Sequence, residues 1–206
     1  MPEAGTLAVN PDCARYILVA ATELLGEVGY GAMSMRQLAS RAGVLPGSLY
    51  HHVASKQDLL SCVLMDLLTS RDNAWRAFPR RRGVLGELQA FIRFCLAWQA
   101  SHPLEAKVLE HEQRHLQAPV QDWLARRPGN LHVQLQKLLE KGQKQGVFGE
   151  FEAEPAALAI MALTKTADAL RCNASGWSLS RLERYCLQMS WRLLDVNKAV
   201  VLQHEP

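Results

Sequence analysis

Between Ala14 and Val28 the apolar residues Ala14, Ile17, Leu18, Ala21, Leu24, Leu25 and Val28 recur at intervals of three and four, the repeat of one helix face. No sustained alternation of period two, no internal repeat and no low-complexity tract follows anywhere in the 206 residues. Such a chain must bury helical stripes against one another, so the predicted class is all-α with about nine helices. Beyond Gly83 the same periodicity predicts segments near 84–101, 104–117, 119–126, 131–145, 154–173 and 180–196. Proline and glycine supply the breaks between them, at His102-Pro103, Ala118-Pro119, Pro128-Gly129-Asn130, Gly146 to Gly149 and Ser175-Gly176.

One region is punctuated more closely than the rest. Ser34-Met35-Arg36-Gln37 has the spacing of a capping box, in which Gln37 bonds back to the cap, and Leu38, Ala39 and Ala42 give a two-turn helix its apolar face. Gly43-Val44-Leu45-Pro46 makes a tight turn with Pro46 at the first helical position. Leu49 and Val53 provide the buried side of another short helix, and Ser55 with Asp58 caps a longer one carrying Leu59, Leu60, Val63, Leu64, Leu67 and Leu68. Two short helices joined through Ala42-Gly43-Val44, the second rich in small and polar groups, describe a helix-turn-helix over residues 34–53. The net charge of +3 is too small to announce a nucleic-acid partner, but residues 34–57 hold Arg36, Arg41, Lys56 and two His with no acid.

The stretch MSMRQLASRAGVLPGSLYHHVASKQDLL resembles the DNA-binding region of TetR-type (tetracycline-repressor-like) transcriptional regulators over about sixty residues. That family's pattern is an amphipathic helix, then A-x-x-A-G-V, G-x-L-Y-x-H-F, S-K and a Leu pair. Gly47 and Ser48 are small enough for close approach to base edges or phosphate, Tyr50 offers a hydroxyl to a phosphate, and His51 and His52 add donors. Lys56 joins its charge to the start of a helix, and Arg36 is placed to reach a guanine edge or the backbone. Ser34, Leu45 and Pro46 complete the expected contact set. Leu45 departs from the usual Ser or Thr cap, with a thymine methyl as its possible partner, and Val53 replaces the usual Phe.

The resemblance implies a DNA-binding domain at 1–68 and an effector-binding and dimerisation domain at 69–206. A homodimer would bind a palindromic double-stranded operator and be released by a small-molecule effector, most simply as a repressor. GQKQGVF followed by EPAALA echoes the family's turn before the penultimate helix. The last two long helices would then dimerise through Ala157, Ile160, Met161, Thr164 and Ala167 with Leu182, Tyr185, Cys186, Met189 and Leu193, although both stripes fit ordinary core as well. Phe94, Trp98, His111, His115, Trp123 and Met161 are the candidate effector-pocket residues, an acyl or aromatic compound being suggested by residue type alone.

His111-Glu112-Gln113-Arg114-His115 fits H-E-x-x-H, whose two His share a helix face in zinc proteases while the Glu polarises a metal-bound water. No third-ligand pattern follows, and chance yields the motif in roughly one sequence in seventy of this composition. On a helix over 104–117, His111, His115, Glu105 and Glu112 project from the inward side, so they must be partnered, wet or lining a cavity. A metal-dependent hydrolase built on His111, Glu112 and His115 and a helical interaction module without DNA binding are the alternatives; no enzyme activity, metal or cofactor is expected.

At 49% hydrophobic content the chain is too apolar for disorder. No signal-peptide pattern opens it and Pro155–Leu163 is too short to span a bilayer, so a cytoplasmic protein with no membrane partner is expected. The five Cys (13, 62, 95, 172, 186) include no C-x-x-C and read as reduced, mostly buried thiols, and Arg76 with Arg80, Arg81 and Arg82 reads as a solvated helix end.

Overall fold

The computed structural model describes residues 14–127, 129–173 and 176–196. Among them it is all-helical: α1 Arg15–Ala32, α2 Met35–Ala42, α3 Pro46–His52, α4 Lys56–Ala77, α5 Val84–Ser101, α6 Pro103–His111, a 3-10 turn Gln113–His115, α7 Ala118–Arg126, α8 Leu131–Lys144, α9 Ala153–Asn173 and α10 Leu179–Leu193. These helices form two compact units. One takes the described residues up to Arg71 together with His102–Arg127; the other takes Asp72–Ser101 and the described residues after Arg127. The sequence boundary at residue 68 therefore falls inside α4, and α6 and α7 pack with the N-terminal helices.

In the first unit α1 packs on α2 and α6, and α2 on α3. Ile17, Ala21, Leu24, Leu25, Leu38, Leu49, Leu59, Leu60, Val63 and Leu64 are buried, the stripes that the three- and four-residue spacing marks. Gly26 lies where α6 crosses, and a Cβ there would overlap Leu104. Gly29, at φ 75° and ψ 165°, interrupts α1 three residues before its end. The helix expected over 104–117 stops at His111. Glu112 ends it, and Gln113–His115 tighten into the 3-10 turn before Leu116 turns extended and is buried.

α5 organises the second unit, in contact with α8, α9 and α10. Val84, Leu85, Leu88, Phe91, Ile92, Phe94, Cys95, Leu96 and Trp98 are all buried, so α5 is apolar over most of its circumference and takes a central place, with only Glu87 and Arg93 reaching the rim as charges. Arg93 to Glu183 on α10 (2.8 Å) and Lys141 on α8 to Glu87 (3.0 Å) are rim ion pairs. Such pairs contribute little next to the apolar burial. At the foot of α4, Trp75 packs against Phe91 and Phe94 with ring centroids 5.4 and 5.3 Å away, and donates from Nε1 to Gln134 Oε1 at 2.9 Å. Arg80, expected as solvated, lies over the Trp75 ring at 4.2 Å and donates to the Trp75 carbonyl.

The sequence GQKQGVF closes α8 and forms the turn after it. Gly146 (φ 68°) is left-handed, Val147 N–H donates to the Gly142 carbonyl at 3.0 Å, and the Phe148 ring lies where a Cβ on Gly142 would stand. Of the stripes expected to dimerise, Ala157, Ile160, Thr164, Leu182 and Cys186 are buried within the unit, because α9 and α10 use those faces against α5 and each other. Tyr185, Met189 and Leu193 are exposed, as are Leu158 and Leu179, while the Ala167 side chain lies outside the described residues. Cys62, Cys95 and Cys186 are buried as expected; Cys13 and the Cys172 side chain lie outside the described residues.

Burial pushes the Cys186 thiol from its ordinary 9.0 up to about 11. A neutral thiol is favoured in the folded state, so its contribution to stability is complete below pH 9.0 and is lost as pH rises through about 11. Iodoacetamide at pH 8 should leave Cys186 unmodified in mass spectra of the native protein and label it after denaturation; labelling at the free-thiol rate would contradict the burial. Gly142→Ala gains roughly 1 kcal/mol of helix propensity but displaces Phe148, which costs about 1–3 kcal/mol. Urea unfolding should therefore show a net loss, and a stabilised variant would show that the ring yields freely.

Candidate nucleic-acid interface

α2 starts on the capping box that the sequence predicts. Gln37 N–H donates to Ser34 Oγ at 3.2 Å, and Ser34 N–H donates to Gln37 Oε1 at 2.8 Å. Gly43, at φ 70°, ends the helix, and Val44 N–H returns to the Ala39 carbonyl at 3.0 Å. Leu45 then occupies the cap position of α3 with no side-chain cap bond, and Pro46 supplies the first helical residue. Leu49 and Val53 are buried and fix one side of α3. Its other side carries Pro46, Gly47, Ser48, Tyr50 and His51, all exposed, and Leu45 is 76% exposed. A buried pair thus presents a short row of small, hydroxyl and imidazole groups, dimensions suited to a DNA major groove.

The cations around α3 fall into three situations. Arg36 is exposed and forms no ion pair with a described residue. Arg41 is paired, its guanidinium donating to both carboxylate oxygens of Glu27 on α1 at 2.6 and 2.7 Å. That bond holds the Glu27 carboxyl below its usual range and tethers α2 to α1. Lys56, the first residue of α4, is half-buried with Nζ 4.3 Å from the centroid of the Tyr30 ring. Ser55 Oγ accepts from Asp58 N–H at 3.1 Å, so α4 is capped as expected. His52 is half-buried and stands edge-on to Tyr16 at 6.4 Å, whereas His51 is exposed.

His111 to His115 serve a different purpose from the one their spacing suggests. The two His do not share a helix face, because α6 ends between them. Glu112 is buried and accepts from the backbone N–H of Tyr30 at 3.1 Å, with His115 Nε2 3.7 Å from the same carboxylate. The His115 ring stacks on Tyr30 at 5.2 Å. Gln57 closes the group, its Nε2 donating to Tyr30 Oη at 2.7 Å and to the His115 carbonyl at 2.8 Å. Among the described residues no three His, Cys, Asp or Glu side chains stand together as metal ligands would. Tyr30, Gln57 and Lys107 were not singled out in the sequence; the one local signal was Gly29, which interrupts the helix just before Tyr30.

The six pocket candidates divide. Phe94, Trp98 and Met161 belong to the second unit, where Phe94 joins the Trp75 cluster, Trp98 is buried and Met161 is half-buried. His111 and Trp123 are exposed and His115 is stacked, all in the first unit.

A capped helix, a left-handed glycine turn and a short helix exposing its polar side define a helix-turn-helix protein. Residues 17–63 match the family described as "Bacterial regulatory proteins, tetR family", and residues 85–167 match "Tetracyclin repressor-like, C-terminal domain". The chain belongs to the TetR family of bacterial regulatory proteins. It is 31% identical over 91 residues to the tetracycline repressor protein class A from transposon 1721 of Escherichia coli, covering 40% of each chain. Over 52 residues it is 40% identical to the HTH-type transcriptional repressor KstR2 of Mycolicibacterium smegmatis, covering 25% of each. These matches span less than half the length of either relative. Among solved structures, a TetR-family regulatory protein from Rhodococcus RHA1 superposes with TM-score 0.78 at 23% identity, over 89% of this chain and 97% of that one. AibR in complex with isovaleryl coenzyme A and operator DNA gives TM-score 0.72 at 17% identity, over 89% and 100%. At such identities the likeness establishes the fold.

Proposed function

We propose that the protein is a ligand-responsive transcriptional repressor that binds a palindromic operator as a homodimer and has no catalytic activity. The exposed row on α3, held from behind by Leu49 and Val53, carries this reading. α3 enters the major groove, with Gly47, Ser48 and Leu45 nearest the base edges and Tyr50, His51 and His52 alongside. Ser34, Arg36 and Lys56 face phosphates, where each neutralised charge makes affinity more salt-dependent. The first unit is the DNA-binding body and the second the effector and dimer body. Its effector, an acyl or aromatic compound, is taken up near Phe94, Trp98 and Met161 and favours a state of lower operator affinity. α6 ends between His111 and His115, so the two imidazoles do not share the helix face that an H-E-x-x-H zinc site needs, which speaks against the hydrolase reading.

Dimerisation is assigned to the exposed apolar stripe of Tyr185, Met189 and Leu193 on α10, with Leu158 on α9. Two recognition helices are needed because one offers too few contacts for a specific site.

Selection of bound duplexes from a random DNA pool should yield a palindrome whose half-sites lie about one helical turn apart. On that operator, Lys56→Ala and Tyr50→Phe should weaken binding to specific and random duplexes alike, Lys56→Ala lowering the salt slope by about one per protomer. Ser48→Ala should instead shift base preference at about 1–3 kcal/mol of discrimination. Unchanged binding by the Lys56 variant would remove its phosphate role. Met189→Glu with Leu193→Glu should give a monomer in sedimentation experiments, and a dimer that persists would place the interface elsewhere.

A further inference from the structure

The first unit contains a polar chain that the DNA-facing residues do not explain. In an unbroken α1 the Tyr30 N–H would bond to the Gly26 carbonyl, and the turn at Gly29 separates the two. α6 meets both losses. Glu112 accepts from Tyr30 N–H at 3.1 Å, and Lys107 Nζ donates to the Gly26 carbonyl at 2.6 Å. A cation on α6 and the anion at the residue that ends it replace a single backbone hydrogen bond, and so hold the end of α1 in its broken form.

What this fixes is the Tyr30 ring. It is tied through its own backbone to Glu112, stacked on His115 and bonded at its hydroxyl to Gln57, and Lys56 Nζ lies over it. A lysine head on a flexible stem must lose rotamer freedom to hold a phosphate. An aromatic face restrains the ammonium while leaving donors free for a second partner.

We propose that Tyr30 is a positioning residue for operator binding, holding the Lys56 ammonium at the phosphate-facing start of α4, and that Lys107 and Glu112 hold Tyr30. The proposal rests on the DNA-binding reading above. It makes operator affinity depend on α6 residues that touch no DNA.

The test is fluorescence anisotropy of the full-length chain on its selected operator across a salt series. Tyr30→Leu should weaken binding about three- to tenfold and flatten the salt dependence, with Tyr30→Phe regaining most of the loss. Lys107→Met, at an exposed position and checked for an unchanged melting temperature, should weaken binding roughly twofold. In a Lys56→Ala background both effects should vanish, because the group being positioned is gone. Equal losses with and without Lys56, or an unaltered salt slope in Tyr30→Leu, would overturn the proposal alone. No duplex binding by the wild-type chain would overturn the DNA-binding reading and this proposal together.

Discussion

A backbone group that loses its helical partner inside a protein must find another, at a cost of about 1–3 kcal/mol if it does not. The first unit is built around one such loss. Gly29 breaks α1, and the donor and acceptor set loose at Tyr30 and Gly26 are answered by Glu112 and Lys107 of α6. Those bonds join segments about eighty residues apart in sequence. Gly26 permits the helix contact that brings Leu104 alongside, so two glycines in one turn of α1 decide both that α6 can approach and what it must supply. The stack of His115 on Tyr30 and the two bonds of Gln57 follow from that approach.

The all-α class, the helix-turn-helix and most helix limits were legible because each is a local matter. Ser34 and Gln37 cap one another within four residues, and Gly43 turns within one. The true meaning of His111–His115 was not legible. Its helix ends at His111 and Glu112 is bonded to Tyr30, a partner so distant in the chain that no spacing rule within the motif reports it. Of the four polar groups expected on the inward side, Glu112 is buried and bonded to Tyr30 and His115 stacks on the same residue, whereas His111 is exposed, and only the fold separates them. The α9 and α10 stripes were ambiguous for a related reason. Periodicity marks which residues are apolar, not which of two neighbouring apolar faces meets the core, and packing against α5 assigned Ile160, Leu182 and Cys186 to the inside.

Cations show the same division between type and context. Arg36, Arg41, Lys56 and Arg80 look alike in the sequence, yet one forms no ion pair with a described residue, one is clamped to Glu27, one rests on Tyr30 and one lies over Trp75. Only their neighbours separate a charge available to a polyanion from one already engaged, which is why a net charge of +3 says so little about DNA.

The packing of His102–Arg127 with the N-terminal helices also bears on how the chain is made. A ribosome delivers α1 to α4 first, then all of α5, and only afterwards the α6 residues that satisfy the broken end of α1. Until Glu112 has emerged, the nascent head carries an open donor at Tyr30 and an uncovered apolar flank at Gly26. Completion of the head is thereby deferred until α6 has followed α5, and a fragment cut at residue 68 would lack the pieces that finish it.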